Sequence, residues 1–437
     1  MSAMLESLRQ HWRDQAAALP GNAGQRERAL EAFLAQGLPT TAEEEWKYTS
    51  LAHLEEAHLT LPGPVDLAEA MAAVARHAVP GLEGPRLVFV NGQLIPPACH
   101  LDGLPAGLAI ESLAQVLREN DTADTLDRVV DLDRYRLARL NTALFQDGAR
   151  VRAARGVAGD APVYLLFLTL GDAEALQLVQ PRVLIEAAEA ASVTVIEHHC
   201  GEGEAAVINA VTEIVAQPGS RVTHYRIQEQ ADSHAQVAGL NARLDRDAAL
   251  VCHNVDLGGA LVRNDVHVRL IAPGADVELN GLYFTRGTSH VDNHTRIDHL
   301  APRTTSREDY RGVLDGRSRA VFNGKVLVAE DAQKIEAHQS NNNLLLSREC
   351  EVDTKPELEI YADDVRCSHG ATVGQLDATA LFYLRSRGLD EDTARGLLTF
   401  AFAEEVITRL GIAPLAERLS GTVIGHLPDS DRLREFT

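Results

Sequence analysis

The pattern of apolar and polar positions divides the chain into three parts. Up to about residue 146, apolar residues recur mostly at the spacing of amphipathic helices, which predicts an N-terminal helical region with short strands. From 147 to about 372, short alternating runs separated by turn residues replace that spacing. Helical spacing returns in 373–437 and predicts a C-terminal helical region. The pattern therefore predicts a mainly β chain with helical ends.

The middle part contains many short strand-like runs and almost no amphipathic helix. Turn signals such as Pro273-Gly274 and Asn323-Gly324 separate the runs. Many short, regularly spaced strands fit a solenoid better than a sandwich, and their alternation of small or apolar with polar residues suits a rung with one face inside and one in water. We expect Asn341–Asn343 to stack amides along a turn of this solenoid. The predicted strands are 163–168, 182–186, 193–197, 221–227, 249–253, 266–271, 277–282, 320–328, 343–346 and 358–361.

In the N-terminal part, a hydroxyl and carboxylate pattern precedes two aromatic residues. Thr40 or Thr41 stands before the carboxylates of 43–45, a spacing typical of a helix capping box. Trp46 and Tyr48 follow, and because such side chains are mostly packing anchors, we expect them to fix this segment to its neighbour. The pattern also predicts helices at 24–37, 66–78 and 110–120 and a strand at 86–90.

The C-terminal part contains two segments with an apolar stripe, 376–388 and 390–411, each ending at a glycine. They predict a helical hairpin that leaves surface for a partner. The charged tail from Pro428 is expected to be loose.

Composition narrows the classes of partner and compartment. The 437-residue chain has a formal net charge of -22, which argues against binding nucleic acid or an anionic membrane, since phosphate groups are repelled. The five cysteines form no CxxC motif. Their odd number and spacing are typical of a protein whose thiols are reduced. We find no secretory signal pattern and no apolar run long enough to span a membrane. These features predict a cytoplasmic protein.

Cys367 and His369 form the leading candidate site, where a strand-like run meets a helix. Side chains two residues apart on a strand leave from the same face and can address one metal ion. Sulfur and imidazole together suit iron, zinc or an iron–sulfur cluster. Two ligands do not complete such a site, so others must come from elsewhere in the fold or from another chain. On spacing alone, a core thiol beside a hydrogen-bonded histidine is the favoured alternative.

Among the seventeen histidines, a second group combines His290, Asp292 and His294. On a strand these three share a face, so a set of two histidines and one carboxylate is possible, as in a stand-alone metal-dependent enzyme. Polar side chains on the outer face of a sheet are the commoner explanation.

Other candidates carry weaker signals. His198-His199 and Cys252-His253 are adjacent pairs that point to opposite faces of a strand, and Cys252 is expected to be a buried, inert thiol. The motifs of common hydrolases and nucleotide enzymes are missing from the sequence.

A third hypothesis is a β-helix enzyme acting on carbohydrate. It would use Glu359 with Asp363 or Asp364, but this single strand offers no second acid at the separation that such chemistry requires. It predicts an exposed carboxylate cleft and activity without partners.

Six long segments, in order along the chain, resemble the SufB/SufD family of iron–sulfur cluster assembly proteins, and the SufD branch most closely. Long ordered segments over most of the chain are far more specific than one short motif. The segments are EEWKYTSL at 44–51, LNTALFQDG at 140–148, NHTRIDH at 293–299, RAVFNGKVLVAEDAQKIEAHQSNNNLLLS at 319–347, EVDTKPELEIYADDVRCSHGATVGQLD at 351–377 and LFYLRSRGL at 381–389.

This resemblance implies a fold and a set of partners. The fold is a central right-handed parallel β-helix over 147–372, with helical regions at 1–146 and 373–437. The activity is not classical catalysis: the chain is a scaffold subunit that pairs with a SufB-like chain. A SufC-like ATPase docks on the C-terminal helices, about 375–411, and sulfur-delivery proteins act indirectly. A homodimer without SufB is left open.

The resemblance also implies a site. His369 is expected to ligate a nascent iron–sulfur cluster shared with SufB at the interface, and Cys367 accompanies it with a less certain role. The missing ligands would then come from the partner chain. A reduced flavin is associated with the family complex, but no residue of this sequence places it.

Overall fold

A computed structural model describes residues 2–120, 126–159 and 161–436. The helices in these residues are α1 (Ala3–Gln15), α2 (Ala23–Gln36), α3 (Leu67–His77), α4 (Leu113–Asn120), α5 (Arg136–Leu144), α6 (Ala378–Ser386), α7 (Glu391–Ile407), α8 (Ala413–Gly425) and α9 (Ser430–Leu433). The strands before the long sheets are β1 (Leu59–Thr60), β2 (Arg86–Val90), β3 (Gln93–Leu94) and β4 (Leu108–Ser112).

The remaining strands build two long sheets. They are β5 (Gly148–Ala153), β6 (Val163–Gly171), β7 (Leu176–Val179), β8 (Arg182–Ala187), β9 (Ser192–Gly203), β10 (Ala206–Ala216), β11 (Arg221–Glu229), β12 (Ala235–Leu244), β13 (Ala249–Asp256), β14 (Leu261–Leu270), β15 (Asp276–Thr285), β16 (His290–His299), β17 (Thr305–Leu314), β18 (Arg319–Val328), β19 (Ile335–Leu345), β20 (Glu351–Ile360) and β21 (Val365–Gly374).

These strands alternate between two parallel sheets and form a β-solenoid of about seven turns. Sheet A has the order β20-β18-β16-β14-β12-β10-β8-β5, and sheet B has the order β21-β19-β17-β15-β13-β11-β9-β6. Each strand therefore pairs with the strand one turn earlier and one turn later. The mainly β fold with helical regions at both ends is confirmed.

The two ends of the solenoid differ. At the first end, β4 runs antiparallel to β5 and β3 runs antiparallel to β2, so short reversed strands terminate both sheets. At the last end, β20 and β21 are the outermost strands, and no strand of the described residues pairs beyond them. We call this second end the open end.

Apolar side chains fill much of the space between the sheets, beside buried polar ones, and the helical regions cover both outer faces. The N-terminal helices pack on the outer face of sheet A, where Phe33 and Leu144 belong to one cluster with Val207. The C-terminal helices pack on sheet B, where Phe400 and Leu419 share a cluster with residues such as Tyr225 and Phe284. Many strands are therefore buried on both faces, and most helices of the C-terminal region are packed against sheet B.

The N-terminal aromatic segment is held on sheet A as predicted, although its local structure differs. Trp46 ends a single 3-10 turn, Glu44–Trp46, rather than an α-helix. The Glu43 carboxylate accepts from the Thr40 backbone N–H at 2.9 Å, which is one half of the predicted capping box. The Arg263 guanidinium stacks on the Trp46 ring, so this ring is a packing anchor.

Two other expectations were wrong. Asn341–Asn343 lies within β19, where Asn343 donates to the Asn341 side chain at 2.7 Å, so these amides do not stack along a turn. The tail from Pro428 is not loose, because it forms α9 and buries Leu433 against Gly396. The helix α8 was not predicted. In the described residues, no helix is long and apolar enough to cross a membrane.

Candidate functional site at the open end

Cys367 and His369 lie on β21, the last strand of sheet B. Their line along the strand continues the interior face of the solenoid, since Cys367 pairs in register with Ala337 and packs beside Ile335. With no further turn above them, the His369 side chain is exposed and the Cys367 side chain is half-buried. The two predicted ligands therefore stand together where the interior of the solenoid opens to the outside.

Burial raises the pKa of the Cys367 thiol above its usual value, and the Ala337 backbone N–H partly opposes that effect. In the isolated chain the thiol form is thus favoured at neutral pH. Because metals bind the thiolate, ligation by Cys367 releases a proton. A nearby positive charge or the metal itself must supply the driving force.

Beneath His369, two polar side chains continue the same interior line into the solenoid. Gln339 is the register partner of His369 on β19, and Glu308 is the register partner of Gln339 on β17. The Gln339 side-chain nitrogen donates to the Glu308 carboxylate at 2.6 Å. Burial raises the pKa of Glu308 to about 7, against the hydrogen bonds that it accepts from Thr295 and Gln339. The site therefore rests on a buried polar pair.

The motif analysis missed Gln339 and Glu308. Neither belongs to a local motif, but the three residues of the line recur at the repeat of one solenoid turn, and Gln339 stands 31 positions after Glu308. Such a spacing identifies register partners only once the turns have been aligned.

The two end strands differ in their suitability for pairing. β20 carries Pro356, which has no N–H to donate, and its alternate positions are charged. β21 contains one residue of the types Lys, Arg, Asp and Glu, which is Arg366. The charged side chains of β20 are Glu351, Asp353, Lys355, Glu357 and Glu359. The edge of sheet A is therefore protected from strand addition, whereas the edge of sheet B is not.

The helix after β21 presents an apolar surface to solvent. β21 ends at Gly374 and α6 begins at Ala378, so only three residues, 375–377, connect them. α6 buries none of its residues in the chain, and the Phe382 side chain is 72% exposed. Tyr383 beside it is also exposed. An apolar surface of this kind is typical of a protein contact.

The second histidine group lies on the outer face of sheet A. His290 and Asp292 both contact the Thr49 hydroxyl, at 2.8 and 2.5 Å, and Asp292 also accepts from Arg263 at 2.7 Å. His294 is placed 3.0 Å from the Asp292 carboxylate, on its other oxygen. The predicted shared face is confirmed, but the side chains bind the N-terminal segment and a buried arginine.

Electrostatics in this group favour a structural network. Burial alone would raise the pKa of Asp292, but the charges of Arg263 and His294 outweigh it and hold that pKa below its usual range. Burial would lower the pKa of His294, but Asp292 and a hydrogen bond to Glu45 raise it to about 9. A protonated histidine has no lone pair for a metal. Across the described ranges, no group of three or more His, Cys, Asp or Glu is arranged to hold a metal ion.

The weaker candidates also have partners within the protein. His198 contacts Glu229 at 2.9 Å, and His199 contacts Glu197 at 3.3 Å, on the opposite side of the strand. Cys252 is buried, and its burial raises the thiol pKa to about 12, as expected of an inert thiol. Glu359 pairs with Lys325 at 2.6 Å. These contacts give no support to a carbohydrate-processing pair of acids.

Comparison with known families agrees with the architecture. A family model described as the SufBD core domain of the SUF system of FeS cluster assembly matches residues 168–402. A second model, the N-terminal region of SufBD proteins, matches residues 9–165. The chain belongs to the SufBD family. The core match includes both β21 and α6.

Relatives of SufBD type cover most of the chain. An iron–sulfur cluster assembly SufBD family protein of Synechocystis is 34% identical over 394 residues, which are 87% of this chain and 86% of the relative. The iron–sulfur cluster assembly protein SufD of Escherichia coli is 31% identical over 411 residues, 93% of this chain and 94% of the relative. The SufD of Bacillus subtilis is 26% identical, over 67% of each chain. Family and relatives together associate the chain with iron–sulfur cluster assembly by the SUF system.

Proposed function

We propose that the chain is a SufD-type scaffold subunit whose open end carries part of a shared site for a nascent iron–sulfur cluster. The observation that supports this most directly is the position of His369 and Cys367 on the last, uncovered turn of the solenoid. The cluster is cargo at this site and not a resident cofactor. His369 supplies an imidazole ligand and Cys367 a secondary thiolate, while a partner chain supplies the rest.

The proposed partner at the open end is a SufB-like chain. The unpaired edge of β21 has few charges and no proline, so a strand of another chain can pair along it. Pairing there places the partner's side chains directly over His369 and Cys367, which explains why the local ligand count falls short. A second copy of this chain at the same edge is an alternative occupant.

The proposed motor is a SufC-like ATPase bound to the C-terminal helices, above all to α6. Phe382 and Tyr383 offer the exposed apolar contact. Because only 375–377 separate α6 from β21, movement of α6 by the ATPase acts almost directly on the strand that carries the ligands. Sulfur-delivery proteins act through the complex, and we place its work in the cytoplasm. The flavin association stays a prediction without assigned residues.

The ligand role is tested in the complex co-expressed with SufB-like and SufC-like partners. His369→Ala is expected to leave the complex intact by size-exclusion chromatography but to abolish the absorbance of the forming cluster. His338→Ala is the matched control, because His338 is an exposed histidine on the neighbouring strand that bonds outward to Ser368 at 2.7 Å. Cluster formation at the parent rate in the His369 variant would show that the ligand role is wrong.

Docking of the ATPase is tested separately. Phe382→Asp is expected to abolish copurification with the ATPase while pairing with the SufB-like chain persists. Leu67→Asp is the control, since Leu67 is 51% exposed on the distant helix α3. Equal ATPase recovery with both variants would contradict the assignment of α6. Recovery of the chain only as a homodimer, with no SufB-like partner, would contradict the pairing.

A further inference from the structure

We propose that Gln339 orients His369, by accepting the imidazole N–H on its side-chain amide oxygen and so directing the other ring nitrogen out of the open end. This inference deepens the proposed function, because its consequence for the cluster rests on the ligand role of His369. It makes Gln339 a positioning residue one turn below the ligand, held in turn by Glu308.

One hydrogen bond determines which atom of the Gln339 amide faces Glu308. The amide nitrogen donates to Glu308, which lies one turn deeper in the solenoid, at 2.6 Å. The amide oxygen is therefore not the atom that bonds to this deeper strand. His369 is the register partner of Gln339 on the other side, one turn further out.

The amide oxygen of Gln339 is also buried and has no hydrogen-bond partner in the structure. Gln339 as a whole is 5% exposed, although only the turn of β21 lies beyond it in sheet B. A buried carbonyl oxygen normally accepts a hydrogen bond, so this oxygen is an acceptor awaiting a donor. His369, exposed on the adjoining turn, carries a ring N–H that becomes this donor when its side chain turns inward.

The backbone makes room for this amide. At Gly324 on β18, an added Cβ would lie 2.2 Å from the Gln339 side-chain nitrogen and 2.8 Å from its Cδ. The missing side chain of Gly324 thus allows the amide to lie across the interior.

The chemistry of a histidine ligand requires such a partner. A neutral imidazole has one N–H and one lone pair, and the metal takes the lone pair. Which nitrogen carries the proton is set by the hydrogen bond made by the other nitrogen. A glutamine oxygen accepts that N–H without adding charge. The tautomer and the ring direction are then fixed before any iron arrives.

The test uses the isolated full-length chain labelled with 15N-histidine, without iron or partner, at about pH 9, where imidazoles in general are neutral. The His369 signals are assigned by their loss in His369→Ala. We expect one dominant tautomer of His369 in the parent chain. Gln339→Met, which is nearly isosteric, should give a mixture of tautomers.

Two further variants make the result decisive. Gln236→Met is the matched control, because Gln236 is a fully buried glutamine on β12, far from the open end, and should leave the His369 signals unchanged. Glu308→Met leaves the Gln339 amide unanchored and should also mix the tautomers, should the first variant fail to fold. An unchanged tautomer ratio in a folded Gln339→Met or Glu308→Met variant would overturn the inference.

The consequence for the cluster is measured apart from the tautomer. In the complex, Gln339→Met is expected to lower iron retention roughly tenfold, as loss of a partner behind a metal ligand usually does. If His369→Ala leaves cluster formation intact, the ligand role fails while the tautomer result stands. If the ligand role holds and the tautomer ratio does not change in Gln339→Met, only the positioning role fails.

Discussion

The guanidinium of Arg263 lies 3.9 Å from the centre of the Trp46 ring, which fastens the N-terminal aromatic segment to the outer face of sheet A. Arg263 is itself buried, and Asp292 and Asp265 bind its guanidinium at 2.7 and 2.8 Å. A stacked arginine paired with two carboxylates is a fixed surface rather than a mobile one. The aromatic segment is therefore attached through Arg263 and its two carboxylate partners, and each of these residues can be substituted separately.

Asp292→Asn should release the aromatic segment at a lower urea concentration than in the parent chain. The change leaves a buried arginine and a protonated histidine with less compensating charge, a loss of about 3–5 kcal/mol for a broken buried pair. Trp46 fluorescence, in a Trp12→Phe background, reports the release. Asp102→Asn is the control because its side chain is 96% exposed. An unchanged midpoint would mean that Asp265 alone balances Arg263.

Attachment of this segment should weaken at alkaline pH. The pKa of His294 is raised to about 9 in the folded chain, against an ordinary value of about 6.5 when unfolded. A group whose pKa is raised by folding stabilises the folded state fully at pH values below its unfolded pKa. This stabilisation is lost as the pH rises through its folded pKa. The same fluorescence midpoint should therefore fall between about pH 6.5 and 9.

His294→Gln should flatten that decline, whereas His53→Gln, at an exposed position, should leave it unchanged. A decline that is equally steep in the His294 variant would assign the pH dependence to another group.

Gly324→Ala should destabilise the last turns of the solenoid, whereas Gly370→Ala should not. The new methyl at 324 would collide with the Gln339 amide, and overpacking of this kind costs about 1–3 kcal/mol. A methyl at 370, on β21, meets nothing within 4 Å. Hydrogen exchange of the β19 amides in the isolated chain measures the difference. Equal protection of the β19 amides from exchange in the two variants would show that the Gln339 side chain moves aside without cost.

Leu433→Ala should free the C-terminal tail. Leu433 is fully buried, and truncating a buried leucine costs about 2–5 kcal/mol. Faster hydrogen exchange and proteolysis within α9 should follow. Phe436→Ala, at an exposed side chain, should have little effect. If both variants are cleaved alike, the contact of Leu433 with Gly396 does not hold the tail.

Local patterns predicted several elements with bounds close to the observed ones. The strand at 86–90 was predicted with its observed bounds, and α2 and α3 differ from their predictions by one residue at each end. By contrast, β10 and β12 were missed, because buried polar residues such as Glu213 and Asn241 interrupt their apolar runs. Burial by distant helices cannot be read from a short window of sequence.

The site was predicted in part for a similar reason. The spacing of Cys367 and His369 indicated a shared face, and the structure places both at the open end. Neither spacing nor composition indicated Gln339 and Glu308 beneath them, because their proximity depends on the register between turns. The role of His290 and Asp292 also depended on Thr49, more than two hundred residues earlier in the chain.

The reversed strands at the first end of the solenoid limit how many chains can join by strand pairing. A parallel solenoid with two free ends could add copies head to tail without limit and form fibres. Here β3 and β4 terminate the sheets at one end, and among the strands of the described residues β21 offers the unprotected edge at the other. Two such chains that meet edge to edge use up their available edges. Growth by strand pairing would therefore stop at a pair, with His369 at the proposed interface.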